Sequence, residues 1–303
     1  MSYIKDQLPY TLDAFESIDL GERYKGKVRE NFHAGSDIIM VTTDRVSAFD
    51  HVLGTIPFKG QILTEIANFW FDKTKDIVPN HILSYPDPQV LVAKKAETLP
   101  VEVIVRGYIT GSLWREYEQG INGQYGFEIP NGFKKNQKFD SPILTPSTKA
   151  EYGAHDEPIS RSSIVNGLVK ESIYFQAESY AMKLFKVGQE WAAKQGLILV
   201  DTKYEFGMVD GELIVIDEIH TPDSSRYWIA DEYEERFNAG INQRMLDKEN
   251  IRQWLIDRGF SGEGTPPVLS DEIRVSLAEN YIDLYSKLTG NNFHPKIGDV
   301  KTR

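Results

Sequence analysis

The chain has 303 residues, of which 41% are hydrophobic and 26% are charged. This length corresponds to about two domains of average size, and the apolar fraction is that of an ordinary globular core. The formal net charge of -11 excludes general electrostatic attraction to nucleic acid or to anionic lipid. The absence of cysteine excludes disulfides, thiolate metal sites and cysteine nucleophiles, and it fits a cytoplasmic protein.

The apolar segments of the chain are short. The first six residues, Met-Ser-Tyr-Ile-Lys-Asp, lack the apolar region of a signal peptide, and the longest apolar runs are pieces such as residues 196–200. The sequence therefore predicts a protein that neither enters nor spans a membrane. Nothing in it indicates an obligate protein partner.

The first third of the chain alternates short β-prone runs with one helical segment. Residues 37–41 and 89–93 have the β-branched and apolar composition of strands. Apolar residues recur at helical spacing over residues 62–76. This alternation predicts a small α+β lobe.

A new β-prone run at residues 101–106 opens the remainder of the chain. We therefore place a lobe boundary near Leu99. The prediction is a small lobe of residues 1–98 and a larger α+β lobe of residues 99–303, which ends in helices from about residue 230 onward.

Two long helices are predicted in the larger lobe. Residues 171–195 have one apolar face, and Gly196 is suited to end that helix. Ser270 is a typical N-cap before a second apolar stripe, which ends at Gly290. By contrast, residues 122–136 are rich in Gly, Asn and Lys, which predicts an exposed loop or ribbon.

Residues 197–220 contain two β-prone runs joined at Asp210-Gly211, which is a strong hairpin signal. Because side chains alternate along a strand, three charged residues share one face of the first run. These are Asp201, Lys203 and Glu205. The second run adds Asp217 and Glu218.

The length of the hairpin loop determines whether Glu205 and Asp217 meet. A two-residue turn would pair Glu205 with Ile216 and send Asp217 to the opposite face. A three-residue loop at residues 209–211 would pair Asp217 with Lys203 and leave it diagonal to Glu205 on the same face. We predict the three-residue loop, or an equivalent bulge.

Two neighbouring carboxylates repel each other unless a cation lies between them. Oxygen ligands that share the ion with phosphate oxygens suit magnesium, so Glu205 and Asp217 form a candidate magnesium site. Lys203 would then contact phosphate or carboxylate. The alternative is a solvated strand face with cross-strand ion pairs, and the charge pattern alone favours the two interpretations equally.

Two segments place an arginine directly after a strand. Residues 221–228 combine a turn, small hydroxyl side chains and Arg226, which could hold a phosphate with two parallel hydrogen bonds. Residues 106–114 combine Arg106 with two glycines and hydroxyl groups, which can cradle an anion. The alternative for the second segment is an ordinary strand end that contains glycine.

Near the N-terminus, residues 24–32 predict a strand with basic side chains on one face beside Gly26. The basic residues are Lys25, Lys27 and Arg29. They could bind phosphate, although a basic strand face is more often only solvated. Residues 42–50 and 145–156 are polar segments that suit a loop as well as a site.

Several common catalytic patterns are absent from the sequence. The six histidines lack zinc-ligand spacing, and there is no Walker P-loop, Gly-x-Ser-x-Gly elbow or Gly-x-Gly-x-x-Gly fingerprint. Zinc enzymes, serine hydrolases and dinucleotide-binding proteins are therefore disfavoured.

Six motifs between Tyr24 and Trp228 resemble those of the SAICAR synthetase family, in the same order. They are Gly26-Lys-Val-Arg, Ser47-Ala-Phe-Asp50, Val101-Glu-Val-Ile-Val-Arg106, Thr110-Gly-Ser112, Leu199-Val-Asp-Thr-Lys-Tyr-Glu-Phe-Gly207 and Asp217-Glu-x-x-Thr-Pro-Asp-Ser-Ser-Arg-Tyr-Trp228. The resemblance implies a two-lobed, ATP-grasp-like α+β fold with antiparallel sheets flanked by helices. The small lobe would bind nucleotide, and the larger lobe would carry the metal and substrate sites.

The same resemblance implies a reaction. The enzyme would be an ATP- and Mg²⁺-dependent ligase that joins L-aspartate to the carboxylate of the ribonucleotide CAIR, giving SAICAR, ADP and phosphate in purine biosynthesis. The carboxylate would first become a carboxyl phosphate. The expected partners are therefore the small molecules CAIR, L-aspartate and ATP, with no nucleic acid.

Site residues follow from the resemblance by motif. The nucleotide would be contacted by Lys27, Arg29, Leu99, Glu102, Lys203 and Glu205, and magnesium by Glu205 and Asp217. The CAIR phosphoribosyl group and neighbouring substrate atoms would be contacted by Arg106, Ser112, Asp156, Asp223, Ser225 and Arg226. Catalysis at the reacting carboxylate would involve Lys149, Asp201 and Lys203.

Arg29 departs from the pattern of many family members, which have a lysine there, and this changes the donor geometry while keeping the charge. Two other functions compete with the ligase. One is a different ATP-grasp or kinase-like phosphotransferase, which would lack the paired anion-binding segments around Arg106 and Arg226. The other is an inactive nucleotide-binding regulator, which the presence of Glu205 and Asp217 disfavours.

Overall fold

The structure is a computed structural model, and it describes residues 2–49, 51–149 and 156–299. The first part of the chain is mostly strands, with two helices among the described residues. In chain order these elements are α1 (Ser2–Gln7), β1 (Glu22–Lys25), β2 (Arg29–Ala34), β3 (Asp37–Thr42), β4 (Arg45–Ala48), β5 (His51–Thr55), α2 (Lys59–Thr74), β6 (Ile82–Asp87) and β7 (Val90–Lys94).

Five of these strands form one antiparallel sheet, in the order β1-β2-β3-β7-β6. The strands β4 and β5 pair with each other in a separate ladder. The helix α2 packs against β3 and buries Ile62, Ile66 and Trp70. The predicted helix at residues 62–76 is confirmed, with a start and an end two to three residues earlier.

Residues 24–32 do not form the single strand predicted from the sequence. They belong to two strands, β1 and β2, which pair as a hairpin with Lys25 opposite Glu30. The Gly26 amide donates to the Arg29 carbonyl oxygen at 2.9 Å, which closes a tight turn. The basic residues of this segment therefore lie on both strands and in the turn, because the chain reverses between Lys25 and Glu30.

The remainder of the described chain contains the longer elements. They are β8 (Glu97–Tyr108), α3 (Gly111–Glu118), β9 (Lys138–Leu144), β10 (Ser147–Thr148), α4 (Arg161–Gly167), α5 (Glu171–Lys194), β11 (Leu197–Val209), β12 (Glu212–Ile216), β13 (Ser225–Ile229), α6 (Tyr233–Asn238), α7 (Glu249–Ile256) and α8 (Asp271–Thr289). The predicted irregular segment lies between α3 and β9.

A second antiparallel sheet is built on the pair β8 and β11. Its strand order is β10-β8-β11-β12, with β13 paired to β11 and β9 paired to β8. The helix α5 packs on one face of this sheet and buries Ala177, Ala181 and Leu184. Both sheets are antiparallel and both are covered by helices, so the predicted α+β class is confirmed.

The turn between β11 and β12 contains two residues, so the predicted three-residue loop is wrong. Val209 pairs with Glu212, and both Asp210 and Gly211 have positive φ, at 51° and 81°. Aspartate followed by glycine accepts this left-handed turn, whose twist matches that of the strands. Glu205 accordingly lies opposite Ile216.

The helix α8, near the end of the chain, contacts the helix α1 at its start. It packs on α1 and α2, and it ends at Gly290 in the left-handed conformation expected for a C-terminal glycine. One buried apolar cluster contains residues of α2, α5 and α8, among them Trp70, Leu184 and Leu284.

The lobe boundary at Leu99 stays a prediction. None of the helices among the described residues combines the length and apolar composition needed to cross a bilayer.

Gly188 in α5 packs against His220, in the loop after β12, and against Leu199 of β11. An added methyl group would come within 2.5 Å of His220 Cε1 and 2.6 Å of Leu199 Cδ2. Overpacking of this kind costs about 1–3 kcal/mol, which exceeds the gain of up to about 1 kcal/mol in helix propensity. We expect Gly188→Ala to lower the free energy of unfolding in urea by about 1–2 kcal/mol.

The matched control is Gly167→Ala, at a helical glycine with open space where the methyl group would lie. Its stability should stay within about 0.5 kcal/mol of wild type, or rise. Equal losses in the two variants would contradict the packing argument.

Candidate active site

The strand β11 carries a row of charged residues opposite a second row on β8. Asp201 lies opposite Arg106, and Glu205 lies opposite Glu102. Lys203 lies between the two acids of β11. The paired strands β8 and β11 thus place acidic and basic side chains close together. Neighbouring elements add further charged residues to this group.

The segment between β12 and β13 crosses beside this row. On one edge of β11, β13 pairs as far as Thr202, and β12 pairs from Glu205 onward. Residues 217–224, which we call the acidic turn, connect these two strands and pass Lys203, whose amide donates to the Ser224 carbonyl oxygen at 3.0 Å. The turn therefore lies where β11 carries its charges.

Lys203 holds two carboxylates from adjacent strands. Its Nζ atom lies 2.7 Å from Glu102 Oε1 and 2.5 Å from Glu205 Oε1, and Lys149 makes a further ion pair with Glu205. Burial alone would raise the pKa of Glu205, but Lys203 and Lys149 outweigh it and hold that pKa well below its usual range. Burial raises the pKa of Glu102 in spite of Lys203.

Arg29, at the start of β2 in the first sheet, contacts the acidic turn. Its guanidinium pairs with Asp217 and, at 2.7 Å, with Glu218 Oε2. The strand β12 ends at Ile216, and Asp217 has a φ of 65°, so strand alternation no longer determines which way Asp217 points. The two-residue turn therefore does not separate Asp217 from the charged row. The charge of Asp217 contributes to raising the pKa of Lys203.

Two arginines share Asp201 at the other end of the row. Arg226 Nη1 lies 2.5 Å and Arg106 Nη1 lies 3.3 Å from Asp201 Oδ2, and Arg106 Nη2 lies 3.5 Å from Ser112 Oγ. Gly111 has a φ of 60°, and a side chain there would approach Arg226 Nη2 to 2.4 Å. The structure thus brings together Arg106, Ser112 and Arg226.

Asp223 of the acidic turn is buried in a third group of charges. Its Oδ2 lies 2.7 Å from Lys59 Nζ and 3.7 Å from Lys248 Nζ, and Tyr281 donates to Oδ1 at 3.4 Å. Burial alone would raise the pKa of Asp223, but the two lysines hold it below its usual range. Burial lowers the pKa of Lys248 to about 8; Asp223 opposes this shift, whereas Lys59 and Arg252 add to it.

Sequence reasoning missed both lysines of this group. Lys59 is fully buried, and its one sequence signal is a charge among the otherwise uncharged residues 56–63. Lys248 lies in a charged segment that shows no pattern pointing to Asp223. Both are brought to the acidic turn by tertiary packing alone.

The other predicted site residues lie around these groups. Lys27 is exposed in the turn between β1 and β2, and Leu99 is buried in β8. Ser225 is buried and donates to Thr202 Oγ1 at 2.7 Å. Asp156 is exposed, and its charge adds to the burial that raises the pKa of Glu102. From the predicted polar segments, Asp50 and residues 150–155 lie outside the described residues.

Comparison with known proteins identifies the family of this chain. Residues 22–267 match the family model described as SAICAR synthetase. The chain belongs to the SAICAR synthetase family. It is therefore an ATP-dependent ligase of purine biosynthesis, which joins L-aspartate to CAIR to form SAICAR. This membership favours the ligase over the phosphotransferase and the inactive regulator.

The similarity to known proteins extends over nearly the whole chain. The phosphoribosylaminoimidazole-succinocarboxamide synthase of Legionella pneumophila (strain Paris) is 47% identical over 285 residues, covering 91% of this chain and 90% of the relative. That of Cytophaga hutchinsonii is 51% identical over 274 residues, covering 89% and 88%. The solved structure of the Saccharomyces cerevisiae SAICAR synthase complexed with SAICAR is 33% identical, with a TM-score of 0.80 and coverage of 93% and 99%.

The depressed pKa of Lys248 predicts a specific pH dependence of stability. Between a folded pKa of about 8 and the ordinary value of 10.5, the unfolded chain binds more protons than the folded chain, so stability rises with pH. Lys248→Met removes this contribution. The difference in unfolding free energy should therefore shift in favour of wild type by about 1–2 kcal/mol between about pH 7.5 and 9.5.

Urea denaturation at the two pH values measures this shift. The control is Lys287→Met, because Lys287 forms a half-exposed i,i+4 pair with Asp283 on α8. Its difference from wild type should be the same at both pH values. A constant difference for Lys248→Met would show that burial does not depress that pKa.

Proposed function

We propose that the ligation takes place along the charged row of β11, with ATP at its Glu205 end and the CAIR phosphate at its Asp201 end. The supporting observation is that this one strand links two differently charged groups. Carboxylates gather around Lys203 and Arg29 at one end, whereas Arg106 and Arg226 gather at the other. A substrate that spans the two would place its reacting carboxylate near Lys203.

Glu205 and Asp217 fit a magnesium ion that is shared with ATP. Each carboxylate is held by a cation from a separate element, Lys149 for Glu205 and Arg29 for Asp217. Among the described residues, no group of three or more His, Asp or Glu side chains could hold a metal ion. Phosphate oxygens would therefore supply further ligands, as magnesium in nucleotide sites prefers. Bound magnesium would neutralise phosphate charge during transfer.

The nucleotide phosphates would lie between the first sheet and this metal site. Lys27 and Arg29 approach from the β1–β2 turn, and Lys203 approaches from β11. Leu99 and Glu102 lie on β8 at the same end of the row, beside the proposed position of the nucleotide. Phosphoryl transfer needs mainly positioning and charge neutralisation, which these cations would provide.

The anion cradle at the other end suits a phosphate monoester. Arg106 and Arg226 are planar donors that bind phosphate with two hydrogen bonds, and Ser112 adds a hydroxyl. The yeast relative, one third identical, was solved with SAICAR bound, which supports a ribonucleotide site in this fold. Asp201 and the nearby Ser225 and Asp223 would orient the arginines and the acidic turn.

A carboxylate is a poor acyl donor, so we propose that it is first phosphorylated. One CAIR carboxylate oxygen attacks the γ-phosphorus and ADP leaves; the aspartate amine then attacks the acyl carbon and phosphate leaves with that oxygen. Lys203 would neutralise the charge that develops on the transferred group. Lys149, Asp201 and Asp156 surround this region and would contact aspartate and the reacting carboxylate.

We further propose a cytoplasmic location, with small molecules as the partners of the site. The use of ATP, the role in purine biosynthesis and the absence of cysteine support this proposal. The net charge of -11 argues against nucleic acid as a partner.

Glu205→Gln tests the metal site and the ligase together. With ATP, Mg²⁺ and aspartate, ADP release by the wild type should require CAIR, and the variant should lose at least about 100-fold in kcat/KM. Mn²⁺ binding, followed by electron paramagnetic resonance in the presence of ADP, should weaken in parallel. Glu212→Gln is the control, because Glu212 is exposed at the start of β12.

ADP release and Mn²⁺ binding test the ligase activity and the metal site separately. ADP release that is independent of CAIR would contradict the ligase and favour a phosphotransferase. Unchanged Mn²⁺ affinity in Glu205→Gln would contradict the metal assignment while leaving the ligase in place.

Oxygen transfer tests the carboxyl phosphate. With CAIR labelled by ¹⁸O in both carboxylate oxygens, the phosphate released in a single turnover should carry one label and SAICAR should retain the other, as read by mass spectrometry. The control is unlabelled CAIR in ¹⁸O-water, from which no label should enter phosphate. Phosphate without label, with the lost ¹⁸O released as water instead, would exclude the intermediate.

A further inference from the structure

Arg45, at the start of β4, is buried behind the β1–β2 turn. Its side chain is 5% exposed and pairs with Glu30, whose side chain is fully buried, at 2.5 Å. Nη1 also donates to the Asp13 carbonyl oxygen. A buried guanidinium has five N–H donors to satisfy, and Glu30 and Asp13 satisfy only part of them.

The remaining donors of Arg45 all reach the turn. Nε donates to the Lys27 carbonyl oxygen at 2.9 Å, and Nη2 donates to those of Gly26 at 2.9 Å and Arg29 at 3.3 Å. The adjacent Thr43 takes the fourth carbonyl oxygen, that of Val28, with its amide at 3.0 Å and its hydroxyl at 2.6 Å. All four carbonyl groups of residues 26–29 are thus bonded to the segment that contains Thr43 and Arg45.

This arrangement determines where the amide hydrogens of the turn point. In a trans peptide the carbonyl oxygen and the amide hydrogen lie on opposite sides, and the described chain has no cis peptide bond. With the carbonyl oxygens of Gly26 and Lys27 turned toward Arg45, the amides of Lys27 and Val28 point to the opposite side. Successive amides directed to one side form the concave surface that binds phosphate in many proteins.

We propose that Arg45 and Thr43 are positioning residues for the nucleotide phosphates. They hold the turn from behind, so that its amides and Lys27 face the phosphates that the proposed function places there, and the inference rests on that proposed site. Glu30 neutralises Arg45, so the effect of the arginine is on geometry more than on long-range attraction. Neither side chain touches the nucleotide.

The first test is Arg45→Lys, which keeps the charge and the Glu30 pair but cannot donate to three carbonyl oxygens at once. Titration calorimetry with Mg²⁺ and ADP as the probe should show a Kd raised about tenfold, the effect of losing hydrogen bonds from a charged donor. The KM for ATP should rise with it, whereas the KM values for CAIR and aspartate should stay within about twofold.

Arg23→Gln is the matched control. Arg23 lies in the same hairpin and pairs with the same Glu30 at 3.0 Å, and its side chain is 26% exposed. Its loss should leave the Kd for ADP within about twofold of wild type. A folded Arg45→Lys variant with an unchanged Kd would overturn the proposal, and so would equal rises of all three KM values, which indicate a general structural defect.

A second pair of variants serves if Arg45→Lys does not fold by circular dichroism. Thr43→Val removes the hydroxyl that donates to Val28, and Thr43→Ser keeps it. We expect a Kd for ADP about threefold higher in the valine variant and near wild type in the serine variant. Equal Kd values would overturn the proposal. If wild type itself binds no ADP, the proposed nucleotide site fails instead.

Discussion

The structure depends on the pairing of buried charges. A carboxylate taken out of water is strongly destabilising unless a cation and hydrogen bonds compensate it. Here each compensating cation comes from a distant part of the chain: Arg29 pairs with Asp217, Lys59 with Asp223, and Lys149 with Glu205. Removing one partner of a fully buried pair, such as Lys59 with Asp223, typically costs about 3–5 kcal/mol. The charges that suit the site for anions therefore also connect the first sheet and α2 to the acidic turn.

The same pairing explains how an acidic protein accommodates anionic substrates. The net charge of -11 repels ATP and CAIR at long range, so binding depends on local cations. Arg106 and Arg226 share the Asp201 carboxylate, which places two guanidinium groups at one end of the charged row. The Glu205 end carries more acid, which suits a metal ion as the bridge to phosphate.

Local sequence signals predicted the regular elements well. The apolar stripes of α5 and α8 and the Asp-Gly turn after β11 required no knowledge of the rest of the chain. The three-residue loop was wrong because strand alternation was extended to Asp217, whereas β12 ends one residue earlier. The hairpin of β1 and β2 was missed because basic residues at alternate positions were read as one strand.

The site could be predicted only where its residues lie in motifs. Asp201, Lys203 and Glu205 are adjacent on one strand, so period-two alternation brings them together. Lys59 and Asp223 are separated by 164 positions, and no local pattern links them. The motif resemblance supplied Arg106 and Arg226, but not Lys248 or Arg45, whose contacts are with other parts of the protein.

The acidic turn shows how the fold maintains an unfavourable local conformation. Asp217 and His220 both have positive φ, which costs about 1 kcal/mol or more at each non-glycine residue. His220 is fully buried; its Nε2 lies 2.6 Å from Tyr204 Oη, and its carbonyl oxygen accepts from Tyr227 at 2.8 Å.

Burial lowers the pKa of His220 to about 3, so its imidazole is neutral at physiological pH. Its Nδ1 has no hydrogen-bond partner among the described residues, which is a further local loss. The packing of His220 against Gly188 and its hydrogen bonds with Tyr204 and Tyr227 offset these losses. A turn fixed in this way keeps Asp217, Glu218 and Asp223 at set distances from β11, as the proposed metal and phosphate sites require.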